Sequence, residues 1–149
     1  MARPRSGEWL EDEIASYKCE GIDVVVSLLE RHEIEELELK QECAFCEQAG
    51  MHFLTFPIAD RGVPPSHKEA RKFIEDILVH AKENKKIAIH CRAGIGRSSM
   101  IAAAVLLHAG HDTDSVFQLI ANARGVNVPD TEEQKLWVHN YERLLNSKN

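Results

Sequence analysis

His90-Cys91-Arg92-Ala93-Gly94-Ile95-Gly96-Arg97-Ser98 lies between two apolar runs, and that placement decides how the chain is read. Upstream, Lys86-Ile87-Ala88-Ile89-His90 predicts a short buried strand ending at the cysteine. Downstream, Ser99 to Leu107 predicts a helix too apolar to face water. Cys91 therefore falls in a strand–loop–helix turn, where backbone N–H groups and a helix N-terminus converge on one point. Such a point suits a dianion such as phosphate.

The residues in the loop supply the chemistry. A thiol of pKa ~8.5 is mostly protonated at neutral pH, but a helix N-terminus and nearby cations lower it to ~3.5–7.5. Cys91 then becomes a thiolate able to attack phosphorus. Arg97, with five residues between it and Cys91, can hold two phosphate oxygens in a bidentate fork. The backbone of Arg92, Ala93, Gly94, Ile95 and Gly96 forms the substrate-binding cradle, and the two glycines let it approach the oxygens closely. Ser98 can hydrogen-bond the sulfur and make it a better leaving group, and His90 can hold the loop through its ring nitrogens.

The plainer reading is a buried structural cysteine beside a surface arginine, since a cysteine and arginine at this spacing occur by chance. A strand, two glycines, flanking His and Ser, and an apolar helix all coincide here, which favours the functional reading.

His90 to Ser98 match, at every fixed position, the signature H-C-x2-G-x2-R-S/T of the cysteine-based protein tyrosine and dual-specificity phosphatases. The chain resembles that family from about Gly7 to Leu145, and is most similar to its small, atypical dual-specificity members, including bacterial forms. Low-molecular-weight tyrosine phosphatases and arsenate reductases carry a similar motif near the N-terminus, whereas Cys91 lies past the middle. The resemblance implies a metal-independent phosphomonoester hydrolase with a phosphocysteine intermediate and no cofactor.

Such an enzyme needs one carboxyl group to protonate the leaving oxygen and later deprotonate water. The family places an aspartate for this on a loop some thirty residues before the cysteine, and Asp60 stands 31 before Cys91. It lies between a strand predicted over Met51–Pro57 and a loop rich in glycine and proline, Arg61-Gly62-Val63-Pro64-Pro65. A turn aspartate is the alternative for that position. Near Asp130-Thr131-Glu132-Glu133-Gln134, which opens the last helix, the family often uses a glutamine to orient water, so the resemblance makes Gln134 a candidate supporting residue.

The 149 residues suit a single catalytic domain, 1–149. A net charge of −6 argues against nucleic acid or anionic membrane as main partner. No apolar stretch is long enough to span a membrane, and Met1-Ala2-Arg3-Pro4-Arg5 is not followed by a signal segment, so a cytoplasmic location is expected. The expected partner is a phosphorylated protein, with tyrosine preferred and serine or threonine admitted; oligomeric state is left open.

The remaining pattern is α/β, a central mainly parallel sheet flanked by helices. A helix is expected over Glu8–Glu20 and a buried strand within Ile22–Leu29. One or two short helices follow in Glu30–Gly50, with Ile34, Leu37 and Phe45 inward. Ser66 and Glu69 predict a capping box for the helix carrying Ala70, Phe73, Ile74, Ile77, Leu78 and Ala81. Val116, Leu119, Ile120 and Ala123 mark another helix closed by Gly125, and Trp137, Tyr141, Leu144 and Leu145 mark the last. Ligand sites in such sheets collect at the C-terminal ends of the strands.

Three other readings compete. Arg92, directly after the cysteine, could bind a second phosphate, as in a phosphoinositide phosphatase; loss of a catalytic residue would leave a phosphate-binding pseudophosphatase. Cys43-Ala44-Phe45-Cys46 could be a redox pair or half of a zinc site with Cys19, His32 or His52, but no second ligand pair is present and free cysteine commonly fills cores.

Overall fold

Val24, Val25 and Val26 have no solvent exposure, as a β-branched run covered on both faces requires. They form β1 (Val24–Ser27), the central strand of a three-stranded sheet of order β2-β1-β3. β2 (His52–Thr55) and β3 (Ile87–His90) both pair with it in parallel, with Val24 opposite His52 on one side and Ile87 on the other. The structure is a computed structural model and describes residues 1–147.

Parallel strands need helical crossovers. A 3₁₀ turn (Gly7–Trp9) leads into α1 (Leu10–Cys19); α2 (Arg31–Glu36) and α3 (Glu42–Gln48) join β1 to β2, and α4 (His67–Lys82) joins β2 to β3. α5 (Arg97–Leu107), α6 (Thr113–Arg124) and α7 (Glu132–Ser147) complete the chain. Alternation along β1 builds two cores. Val25 packs with Leu10, Ile14, Leu39 and Cys46 on the α1/α3 side. Val24 and Val26 pack with Ile74, Met100, Ile101, Trp137 and Val138 on the other. Burying each such side chain contributes about 1.5–3 kcal/mol.

α5 is the helix predicted to be too apolar for water. It packs against α4, α6 and α7, and Arg97, Ser98, Ser99, Met100, Ile101, Ala103, Ala104 and Leu107 are all buried. Local chemistry sets the helix ends. Ser66 Oγ accepts from the Glu69 N–H at 3.2 Å, Asp112 caps α6 through the Ser115 N–H, and Gly125 ends it in the left-handed region.

The expected inward face of α6 is partly corrected. Val116 is buried as expected and Ile120 is partly buried, but the other buried positions are Thr113 and Phe117, while Leu119 is 50% exposed and Ala123 is exposed. Beyond Phe117 the helix runs past α5; Ile120 still packs on the core, while Leu119 and Ala123 line a groove with Ile87, Ile89 and Leu106. Ala81 and Leu144, also expected inward, are exposed at helix ends that outrun the core. Along the open edge of β3, the Arg3 N–H donates to the Arg92 carbonyl at 3.2 Å. Among the described residues, no helix is long and apolar enough to cross a membrane.

Candidate active site

Each strand delivers one part of the site from its C-terminal end. β3 ends at His90 and passes directly into Cys91; β2 leads to the loop carrying Asp60; β1 leads to α2, which carries Glu33. Cys91, Asp60, Arg61, Arg92, Ala93, Ile95, Gly96, Arg97, Asp130 and Gln134 line one cavity of about 230 Å³.

Cys91 sits at the base of that cavity and is 3% exposed. Burial alone would raise its thiol pKa. The Ser98 hydroxyl, 3.4 Å from Sγ, the backbone N–H groups of Ser98 and Gly94, and the Arg97 charge together outweigh burial and hold the thiol below its ordinary value. Gly94 makes this possible because it sits at φ +76, a conformation that L side chains rarely adopt.

Arg97 is buried with the first turn of α5, 2% exposed. Its Nη1 donates to Glu33 Oε1 at 2.6 Å and to the Ile58 carbonyl at 2.9 Å. Its Nη2 donates to Glu33 Oε2 at 2.9 Å and to Asp60 Oδ1 at 3.1 Å. Burial works against the charge on Arg97, but the hydrogen bonds and charge of Glu33 more than compensate and keep the guanidinium cationic.

His90 is fully buried beneath the loop, with Nε2 at 2.5 Å from Glu42 Oε2 and Nδ1 at 3.2 Å from the Cys91 carbonyl oxygen. A buried carboxylate on α3 thus orients the ring that underpins the loop. Asp60, by contrast, is 56% exposed at the mouth. Gln134 is buried: its Oε1 accepts from the Asp130 and Thr131 N–H groups at 3.1 and 3.2 Å, and its Nε2 donates to the Gly62 carbonyl at 3.0 Å. The Oε1 atom, with two lone pairs, has both in use.

Cys43 and Cys46 lie on α3, away from the cavity lining. Burial and neighbouring acidic groups push both thiols up, Cys46 to about 12. Neither has the electropositive surroundings of a reactive redox thiol. The grouping of possible metal-ligating side chains among the described residues, Glu30, His32 and Glu33, contains neither cysteine, and its Glu33 is already bonded to Arg97.

Residues 1–111 match a family described as "Polymorphic toxin system, DSP-PTPase phosphatase". The chain belongs to that family. The chain is 27% identical to "Cyclin-dependent kinase inhibitor 3" of Rattus norvegicus over 139 residues, covering 91% of this chain and 65% of the rat protein. It is 29% identical to "Protein tyrosine phosphatase domain-containing protein 1" of Mus musculus over 155 residues, covering 97% of this chain and 20% of the mouse protein. The chain therefore spans less than two thirds of either relative. Its fold superposes on the crystal structure of kinase associated phosphatase carrying a catalytic-cysteine-to-serine substitution, with TM-score 0.88 and 22% identity, over 98% of this chain and 85% of that one.

The structure brings Cys91, Arg97, Ser98, Asp60 and the loop from Arg92 to Gly96 together, with His90 buried beneath the loop and Gln134 bonded to the Gly62 carbonyl and to the amides of Asp130 and Thr131. Glu33 and Glu42 were missed. Each lies in a charge-rich segment where a solvated face is the default expectation, yet they are 1% and 2% exposed. One local signal existed for Glu33. Glu30 precedes it by three positions, and the two form a capping box at the start of α2, with the Glu30 N–H donating to Glu33 Oε1 at 3.0 Å.

Proposed function

We propose that the chain hydrolyses phosphomonoesters on proteins, preferring phosphotyrosine, through a phosphocysteine intermediate. The observation that carries this reading is a thiol held toward its anionic form in a cavity shared with a buried arginine and an accessible carboxyl group.

The hydrogen-bond pattern of Arg97 supports one order of events. Glu33 and the Ile58 carbonyl take three of its four Nη hydrogens, and Asp60 takes the fourth. Phosphate therefore binds through Nε and the Nη2 hydrogen now on Asp60, a bidentate fork. Displaced from Arg97, the Asp60 carboxyl turns to the leaving oxygen. Cys91 Sγ attacks phosphorus, the phosphorus–oxygen ester bond breaks, and the leaving oxygen takes the Asp60 proton. Water then attacks the phosphocysteine, giving its proton to the Asp60 carboxylate. The sulfur–phosphorus bond breaks, and Ser98 hydrogen-bonds the departing thiolate. Loop amides and Arg97 carry the charge on the phosphoryl oxygens.

The rim supports this choice of substrate class. Arg92 is paired with Glu36 at 3.4 Å, and Arg61 with Asp130 at 2.9 Å. Both rim arginines are already matched to carboxylates, which favours a substrate with one phosphate over an inositol lipid carrying several. An aryl leaving group also departs more easily than an alkyl one, which favours tyrosine.

Turnover of matched phosphotyrosine and phosphothreonine peptides and soluble phosphoinositides, at equal concentration, tests this reading. The phosphotyrosine peptide is expected to lead, orthovanadate to inhibit, EDTA to have no effect, and Cys91→Ser to abolish turnover. A clear preference for the phosphoinositide would overturn the substrate assignment, and activity surviving Cys91→Ser would overturn the mechanism.

A further inference from the structure

Once phosphate has taken the Arg97 contact, Asp60 must be kept over the cavity by something else. The residues that do this lie on the far side of its loop. Arg61 stands at φ +61, the left-handed region that non-glycine residues seldom occupy. From there its Nη1 reaches the start of α7 and donates to Asp130 Oδ2 at 2.9 Å. Next in the chain, the Gly62 carbonyl accepts from Gln134 Nε2, and Gln134 Oε1 holds the Asp130 and Thr131 amides. The same Gln134 amide lies over the phosphate loop, where a Cβ added at Gly96 would come within 2.8 Å of Oε1. One buried amide, lying against the phosphate loop, thus joins the Asp60 loop to the start of α7, while the Arg61–Asp130 pair closes the arrangement from outside.

We infer that Arg61 and Asp130 form a latch that positions Asp60 for proton transfer. This rests on the reading of Asp60 as the general acid. The two side chains are 64% and 35% exposed, and a pair so accessible adds little to folding stability. A backbone outlier kept beside the reacting groups for so little stability points to a role in the chemistry. The consequence is selective. Loss of the latch slows reactions that need a proton delivered to the leaving oxygen and spares those that do not. It leaves Cys91, Arg97 and the phosphate cradle untouched, so KM holds while kcat falls.

The test measures kcat and KM of the full chain carrying Arg61→Gln, Asp130→Asn or Arg61→Lys, beside Asp60→Asn. Two substrates are compared. One is 2,4-dinitrophenyl phosphate, whose phenolate leaves without a proton; the other is a phosphotyrosine peptide, whose phenolate needs one. Arg61→Gln and Asp130→Asn are expected to lower peptide kcat about tenfold, to lower it less than about threefold on the dinitrophenyl ester, and to leave KM within about twofold. Arg61→Lys, which keeps the charge, should retain most of the peptide activity, and thermal midpoints should not move. Asp60→Asn should show the same leaving-group dependence, more deeply. Equal losses on both substrates, or no loss on the peptide, overturn the latch while Asp60→Asn still reports the acid. Absence of leaving-group dependence in Asp60→Asn removes the acid assignment and the latch with it.

Discussion

Glu33 and Arg97 meet through two hydrogen bonds, Nη1 to Oε1 at 2.6 Å and Nη2 to Oε2 at 2.9 Å, with both side chains closed to solvent. The fork fixes the plane of the guanidinium, with Nε and the Nη2 hydrogen now on Asp60 on the side proposed to take phosphate. The carboxylate from the short α2 helix therefore aims the arginine of the phosphate loop across a span of 64 residues.

Glu33→Ala leaves Arg97 buried without its main partner, a change that typically costs about 3–5 kcal/mol. Glu33→Gln keeps the shape and one acceptor, and should cost less. Urea denaturation measures the first effect and kcat/KM the second, which should fall in both variants as Arg97 loses its aim. A Glu33→Ala protein with wild-type stability and kcat/KM would show that Ile58 and Asp60 suffice to hold Arg97.

Acid stability should carry the signature of the same pair. Burial would raise the Glu33 pKa, but the hydrogen bonds and charge of Arg97 lower it below the ordinary carboxylate value in the folded chain. A carboxylate with a depressed folded pKa stabilises the fold at any pH above its unfolded value, ~4.3, and loses that contribution as pH falls through the folded value. Unfolding free energy measured against pH should drop below about pH 4.3 in the wild type, and less steeply in Glu33→Gln.

The Cys91 thiolate is measurable directly. Its rate of alkylation by iodoacetamide should rise with pH around a midpoint below that of an ordinary thiol, because Ser98, the Gly94 and Ser98 amides and Arg97 outweigh the effect of burial. Ser98→Ala removes the nearest of these donors and should move the midpoint upward. A midpoint unchanged by Ser98→Ala would assign the stabilisation to the amides and Arg97 alone.

Gly94→Ala should disable the loop. The residue sits at φ +76, and a Cβ there would come within 2.3 Å of the Met1 backbone. Holding alanine in the left-handed region costs about 1–3 kcal/mol, and relief of the clash must shift one of two backbones. Loss of orthovanadate affinity, measured by calorimetry with the fold intact by circular dichroism, is the expected result.

The sheet and the phosphate loop were legible because their signals are local. Three valines in a row, the three-residue apolar run Ile87–Ile89 and the cysteine motif each state a conformation within a few residues. Asp60 was legible only through its offset from Cys91, a spacing that resemblance supplied. Glu33 and Glu42 were hidden because their burial depends on partners far along the chain, Arg97 and His90, which neutralise a cost that composition alone would count against them. Leu119 failed for the converse reason: a regular apolar stripe describes a helix face, but not how far the neighbouring helix extends to cover it. Gln134 was found by resemblance, as a residue that orients water; the structure shows its carbonyl oxygen occupied by two backbone amides, so its visible work is to join loops.

Because three parallel strands release Glu33, Asp60 and Cys91 from the same side of the sheet, the segments that hold them are grafts on a shared stock. The segment from Phe56 to Ser66 buries only Ile58 and Pro64 fully, with Phe56 and Val63 packed against the core from its surface. On the role proposed for Asp60, replacing this segment with the equivalent segment of a relative is expected to exchange leaving-group preference while leaving β1, β3 and α5 to fold as before.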